Sequence, residues 1–140
     1  MSYTKDESSY WLTEKHTMKK SESNLQRECV RWFRYAYPGK VLFAIGNGGK
    51  RNVITAAILK AEGVLSGVWD LLLMEPQKND GTDSYIPYHG LWIEMKYGKN
   101  GLTENQKLFK EKAEKRNYKC VICKTFDEFK KEIDEYLIYV

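Results

Sequence analysis

GVWDLLLM at residues 67–74 and LWIEMK at residues 91–96 are the most informative segments for the fold. Short apolar runs of this kind predict buried strands. Each run also contains charged residues. Asp70 directly precedes Leu71–Leu73 in the first run, and Glu94 and Lys96 lie at the end of the second. A buried charge is costly unless it is paired or coordinated, so these three residues are the first candidates for a functional site.

The remaining segments predict an α/β chain built around these two strands. Periodic apolar residues predict four helices, which begin near Ser23, Asn52, Thr103 and Thr125. A further apolar run predicts a buried strand at residues 41–45, and residues 118–123 predict a fourth strand. The predicted order is α-β-α-β-β-α-β-α, which indicates a central mixed β-sheet flanked by helices. We expect the two central strands to pair as a wide hairpin, and the later β-α-β unit to add a parallel strand.

Two helix starts have the spacing of a capping box, Ser23 with Gln26 and Thr103 with Gln106. In the second predicted helix, apolar residues recur on one side, and Gly63 is the expected stop.

Length and composition restrict the class of protein. The 140 residues fit one compact domain, and no apolar run approaches the ~20 residues of a membrane helix. The N-terminus shows no basic segment that leads into an apolar one, and the three cysteines are an odd number, so we expect an intracellular protein with reduced thiols. The net charge of +4 favours a polyanionic partner without identifying one.

Residues 1–20 mix charges, serines and isolated aromatics with no sustained period. They predict an N-terminal extension, either a mobile arm or a short helix that packs on a partner. Residues 21–140 are then the folded domain.

The charged residues of the two strands suit metal-assisted chemistry. Residues two apart in a strand share a face, so Glu94 and Lys96 project together, and Asp70 joins them if the strands are neighbours. Two carboxylates suit a hard cation such as Mg²⁺, and a lysine beside them can hold an attacking water for phosphodiester hydrolysis. The alternative is structural: an ion pair on a solvated sheet face, with Asp70 bonded to a turn.

Taken in order, three motifs resemble the VRR-NUC (virus-type replication-repair nuclease) family, a branch of the PD-(D/E)xK nuclease superfamily. They are GVWDL at 67–71, LWIEMK at 91–96 and LTENQ at 102–106, and the resemblance extends roughly from Glu22 to Cys123. It implies a restriction-endonuclease-like core and a Mg²⁺- or Mn²⁺-dependent nuclease that acts on DNA, often on branched structures.

The resemblance also implies roles for individual residues of the two strands. Asp70 and Glu94 would be metal ligands, assisted by the Met95 carbonyl, and Lys96 would position or activate the water. The family commonly has proline before the aspartate, where this chain has Trp69. Because that proline shapes the strand entry and is no ligand, we expect catalysis to be retained.

Two helical residues match further positions of the family. Glu28 matches the first-helix glutamate that contributes to the metal site, and Gln106 matches the glutamine after the core motif. By spacing alone, Glu28 borders the buried stripe, where it can reach a metal or pair with Arg27 or Arg31. Gln106 can equally be the capping-box partner of its helix.

The loop after the first predicted strand is a candidate for contact with the DNA backbone. Its glycines permit close approach to a phosphate, and its two cations can pair with one. The expected DNA-binding residues are Asn47, Gly48, Gly49, Lys50 and Arg51, with Lys99 extending the basic surface. The alternative is a flexible turn before a helix.

Cys120 and Cys123 form a Cys-x-x-Cys pair within a predicted strand, where positions three apart face opposite ways. Since no second ligand pair has suitable spacing, we interpret them as strand packing.

By analogy with the family, we expect an endonuclease that cuts branched or Holliday-junction DNA in replication, recombination or repair, in a bacterial or phage-infected cell. Stand-alone members this small also imply a homodimer. Two alternatives stay open: a catalytically inactive DNA-binding module of the same fold, and a sequence-specific restriction endonuclease.

Overall fold

The computed structural model describes residues 21–46 and 53–140. The predicted extension, residues 1–20, and the predicted DNA-binding loop residues 47–51 lie outside these ranges. The elements, in chain order, are α1 (Glu22–Ala36), β1 (Leu42–Ala44), α2 (Val53–Ala61), β2 (Leu71–Leu73), β3 (Leu91–Met95), α3 (Glu104–Lys115), β4 (Lys119–Cys123) and α4 (Phe126–Leu137). The order agrees with the prediction from the sequence.

The strands form one mixed sheet in the order β1-β2-β3-β4. β2 is antiparallel to both β1 and β3, with Leu72 opposite Trp92, and β4 is parallel to β3, with Ile122 opposite Glu94. The predicted wide hairpin and the added parallel strand are therefore confirmed.

The core lies between one face of this sheet and the helices α1 and α4. Alternate residues of β2 and β3 point to that face and are fully buried, because strand side chains alternate between faces. The buried cluster comprises Leu71, Leu73, Leu91, Ile93 and Met95 from the strands, Cys29, Trp32 and Phe33 from α1, and Phe129, Ile133 and Tyr136 from α4. α3 covers the opposite face, where Phe109 packs edge-on against Trp92 with ring centroids 4.9 Å apart. The site described below lies on this second face.

The two predicted capping boxes have different outcomes. α1 is capped by Ser21, whose side chain accepts a hydrogen bond from the Asn24 amide. Ser23 lies inside the helix, so the predicted box with Gln26 is wrong. Ser21 is an equally good cap, and it lets Glu22 occupy the favourable acidic position of the first turn. In α3, both bonds of the predicted box between Thr103 and Gln106 are present.

The first predicted strand differs from expectation, because only Leu42 of β1 is buried. Among the described residues, β1 lies at the edge of the sheet with β2 as its one neighbour, so the run that the sequence pattern predicted to be buried is enclosed on one side only. α2 also contributes no buried residue within the described part of the chain, and its Ile54 and Ile58 are exposed. Gly63 ends α2 as predicted, at φ +109°. No helix among the described residues is long and apolar enough to cross a membrane.

Candidate active site

The structure brings Asp70, Glu94 and Lys96 together at one end of the sheet. Because β2 and β3 are antiparallel, the residue before β2 lies beside the end of β3. The Asp70 amide donates to Glu94 Oε1 at 3.3 Å, and Asp70 Oδ2 accepts from the Met95 amide at 2.8 Å. Lys96 Nζ lies 3.4 Å from Glu94 Oε2. The three charged residues therefore lie together on one face of the sheet, as their spacing in the sequence predicts.

Burial makes this group of charges unusual. Glu94 is 1% exposed and Lys96 is 7% exposed. Burial first, and then hydrogen bonding with Asp70 and the charge of Asp70, together raise the pKa of Glu94 to about 8, against the opposing effect of Lys96. A further cation beside the Glu94 carboxylate would favour its ionised form.

Gln106 joins the site to the start of α3. Its Oε1 accepts from Lys96 Nζ at 3.0 Å and from the Thr103 amide at 3.0 Å. Its Nε2 donates to Glu94 Oε2. The side chain therefore completes the helix cap and contacts both buried charges, so the two interpretations of Gln106 left open by the sequence are compatible.

The turn before β2 holds the first turn of α3 in place. The indole N–H of Trp69, which is fully buried, donates to the Gln106 carbonyl at 3.0 Å. Asn105 Nδ2 donates to Ser66 Oγ at 3.0 Å. Gly67 adopts φ +90°, and a Cβ there would lie 2.5 Å from the Asn105 carbonyl group. Glycine is therefore required by both the conformation and the close approach.

The sequence patterns do not predict these positioning contacts. In the family pattern, Trp69 is only a departure from the usual proline. The indole of Trp69 is the feature of the sequence that indicates such a contact, because a buried tryptophan N–H needs a hydrogen-bond acceptor. Nothing in the sequence identified that partner, which lies 37 residues away.

The other predicted site residues are more dispersed. Within residues 21–46 and 53–140, no three His, Cys, Asp or Glu side chains form a group that could hold a metal ion. Glu28 is half-buried on α1 and does not complete such a group with Asp70 and Glu94, so its metal role stays a prediction. Lys99 is exposed in the turn that follows β3.

The residues present nevertheless fit a hard divalent cation. Asp70 and Glu94 bring two carboxyl groups together, and a bound cation would offset the burial and the Asp70 charge that raise the pKa of Glu94. Mg²⁺ is commonly bound by one or two carboxylates and keeps several waters, so a pair of carboxylates suits it.

The Cys-x-x-Cys pair takes no part in this site. Both thiols are free, and Cys123 is buried in the core. Burial, followed by the charges of Glu132 and Glu128, raises the pKa of Cys123 to about 12. The thiol therefore stays protonated, which agrees with strand packing.

A mixed sheet with helices on both faces, and an aspartate and a Glu-x-Lys pair at one end of its central strands, is consistent with the restriction-endonuclease-like class. No protein-family model matches the sequence, and no curated protein matches it. A solved structure described as a VRR_NUC domain protein is similar, with 25% sequence identity and a TM-score of 0.68 over 87% of this chain and 92% of that chain. This likeness confirms the resemblance to the VRR-NUC family that the motifs of the chain predict.

Proposed function

We propose that the chain is a divalent-metal-dependent DNA endonuclease that hydrolyses phosphodiester bonds. The observation that carries the proposal is the meeting of Asp70, Glu94 and Lys96 at the end of the central strands, with Glu94 and Lys96 buried. The nuclease-type fold of the similar structure supports it. By the superfamily resemblance, cleavage would leave 5′-phosphate and 3′-hydroxyl ends.

In this proposal Asp70 and Glu94 hold Mg²⁺ or Mn²⁺, with the Met95 carbonyl and Glu28 as further ligands. When bound, the ion lowers the pKa of a water and offsets charge on the phosphate. Lys96 holds the attacking water through its ammonium group. Gln106 orients the Lys96 ammonium group, because its side-chain amide contacts both Lys96 and Glu94.

The proposed substrate is branched or Holliday-junction DNA, in replication, recombination or repair. A homodimer would place two cuts, one on each strand. Residues 47–51 and Lys99 would contact the DNA backbone, and residues 1–20 would form an extension to the domain at 21–140. These statements rest on the family resemblance and on the loop chemistry.

The test is cleavage of a panel of linear, flap and four-way DNA substrates, with Mg²⁺ or with EDTA. We expect cleavage only with the metal and fastest on branched DNA. Asp70→Asn and Lys96→Ala should each lower the rate by at least about 10²-fold, on the scale of removing one transition-state-stabilising group. The control is Asp83→Asn, an exposed carboxylate in the loop that enters β3 at its opposite end.

Each other outcome has a defined meaning. DNA binding without cleavage would indicate the inactive module. Cleavage at one sequence of linear duplex, without preference for branches, would indicate a restriction enzyme. Full activity of Asp70→Asn and Lys96→Ala would overturn the proposed site.

A further inference from the structure

We infer that a groove along α1 binds the phosphodiester backbone of the nucleic acid next to the cleavage site. This inference rests on the proposed function and adds a substrate contact to it. The groove has a volume of ≈ 780 Å³, and its lining includes Arg27, Arg31, Arg34 and Asp70. It therefore joins three guanidinium groups to a carboxylate of the proposed metal site.

The spacing of the arginines matches an extended anion. Positions four and seven residues after Arg27 lie on the same side of an α-helix, and a rise of ~1.5 Å per residue places Arg27 and Arg34 about 10 Å apart along the axis. Phosphates of one DNA strand recur every ~3.4 Å along the duplex axis, so this length covers about three steps. Guanidinium groups bind phosphate oxygens in a bidentate manner.

The groove leads to the site through the edge of the sheet. Ala44 and Ile45 also line it, and the Ile45 amide donates to the Asp70 carbonyl at 2.9 Å. The arginines outnumber the lining carboxylates, which are Glu22 and Asp70. A cation bound at Asp70 would make the balance more positive, so a phosphate backbone is the ligand that the charge of this groove favours.

The three guanidinium groups differ in exposure. Arg27 and Arg34 are exposed, and Arg31 is half-buried. Arg34 lies in the last turn of α1, where a cation also favours the helix dipole. Arg27 lies outside that turn, so the helix dipole gives no reason for a cation there. Substitution of Arg27 therefore tests phosphate binding more directly than substitution of Arg34.

The test is DNA binding by the full chain in EDTA, measured by fluorescence anisotropy on labelled duplex and four-way DNA. The variants are Arg27→Gln, Arg34→Gln and the double substitution. Each single loss of a phosphate contact should weaken binding about eightfold at 0.1 M salt and lower the slope of log K against log[salt] by about 1. Arg27→Lys, which keeps the charge, should retain most of the affinity.

The matched control is Arg116→Gln, which removes the same charge from an exposed position. Arg116 precedes β4 at the end where Lys119 pairs with Leu91, which is the end of the sheet away from Glu94. This control should leave affinity and salt slope unchanged. Circular dichroism of each variant checks that it is folded.

The outcomes separate this inference from the proposed function. Weaker binding by Arg27→Gln in a protein that does not cleave would support the groove and reject the nuclease. Unchanged affinity and unchanged salt slope for folded Arg27→Gln and Arg34→Gln would overturn the groove, whether or not the protein cleaves DNA. Equal weakening of binding by Arg116→Gln would also overturn the groove, because the effect would then come from the overall charge.

Discussion

Substitution of Gly67 by alanine should destabilise the fold and disturb the candidate site together. Gly67 lies in the turn that packs against Asn105 in the first turn of α3. The next residue, Gln106, contacts Glu94 and Lys96. An added Cβ would lie 2.5 Å from the carbonyl carbon and oxygen of Asn105, which are backbone atoms that cannot rotate away.

The expected magnitude has two parts. Gly67 has φ +90°, and holding alanine in the left-handed region costs about 1–2 kcal/mol. Displacing the Asn105 backbone adds about 1–3 kcal/mol, the usual cost of overpacking. The free energy of unfolding should therefore fall by about 2–5 kcal/mol, a large part of the ~5–15 kcal/mol of a typical domain.

Gly63→Ala provides the matched control. Gly63 has φ +109°, but a Cβ there meets nothing within 4 Å. This variant should lose only the conformational part, about 1–2 kcal/mol. The difference between the two variants isolates the contact with Asn105.

The assay is guanidinium denaturation of both variants in EDTA, followed by circular dichroism. If Gly67→Ala and Gly63→Ala lose equal free energy of unfolding, within about 0.5 kcal/mol, the close approach to α3 does not exist and the reasoning fails.

Two further predictions concern stability and pH. Burial, then Asp70, raises the pKa of Glu94 to about 8, so its contribution to stability is complete below pH ~4.5 and is lost as the pH rises through 8. Between pH 4 and pH 8 in EDTA, the free energy of unfolding of the wild-type chain should therefore fall by about 1–3 kcal/mol more than that of Glu94→Gln, which cannot ionise, whereas exposed Glu111→Gln should behave as the wild type. The Tyr37 hydroxyl donates to Asp134 Oδ1 at 2.6 Å and joins α1 to α4. Tyr37→Phe should therefore lower the melting temperature, at a cost of about 1 kcal/mol, whereas Tyr35→Phe, at an exposed position, should not.

Much of the fold was predictable because its signals are local. An apolar run or a capping pair lies within one segment, so the eight elements of the described residues, their order and the α3 cap followed from local patterns alone. The prediction of a buried first strand was wrong for a physical reason: burial depends on how many neighbours a strand has, and β1 lies at the edge. α2 shows the same limit, since an apolar period does not show whether a surface is available to cover it.

The features of the candidate site also divide into those with a local signal in the sequence and those that depend on the packing of distant elements. The local pattern is enough to recognise Asp70, Glu94 and Lys96 as charges in apolar strands, and Gln106 as a residue placed where a helix cap needs it. The folded chain is needed to see that Asp70 meets Glu94, that Gln106 binds both Glu94 and Lys96, and that Trp69 holds Gln106. Those contacts depend on strand register and on how α3 packs across the sheet, and both are set by side chains far apart in the chain.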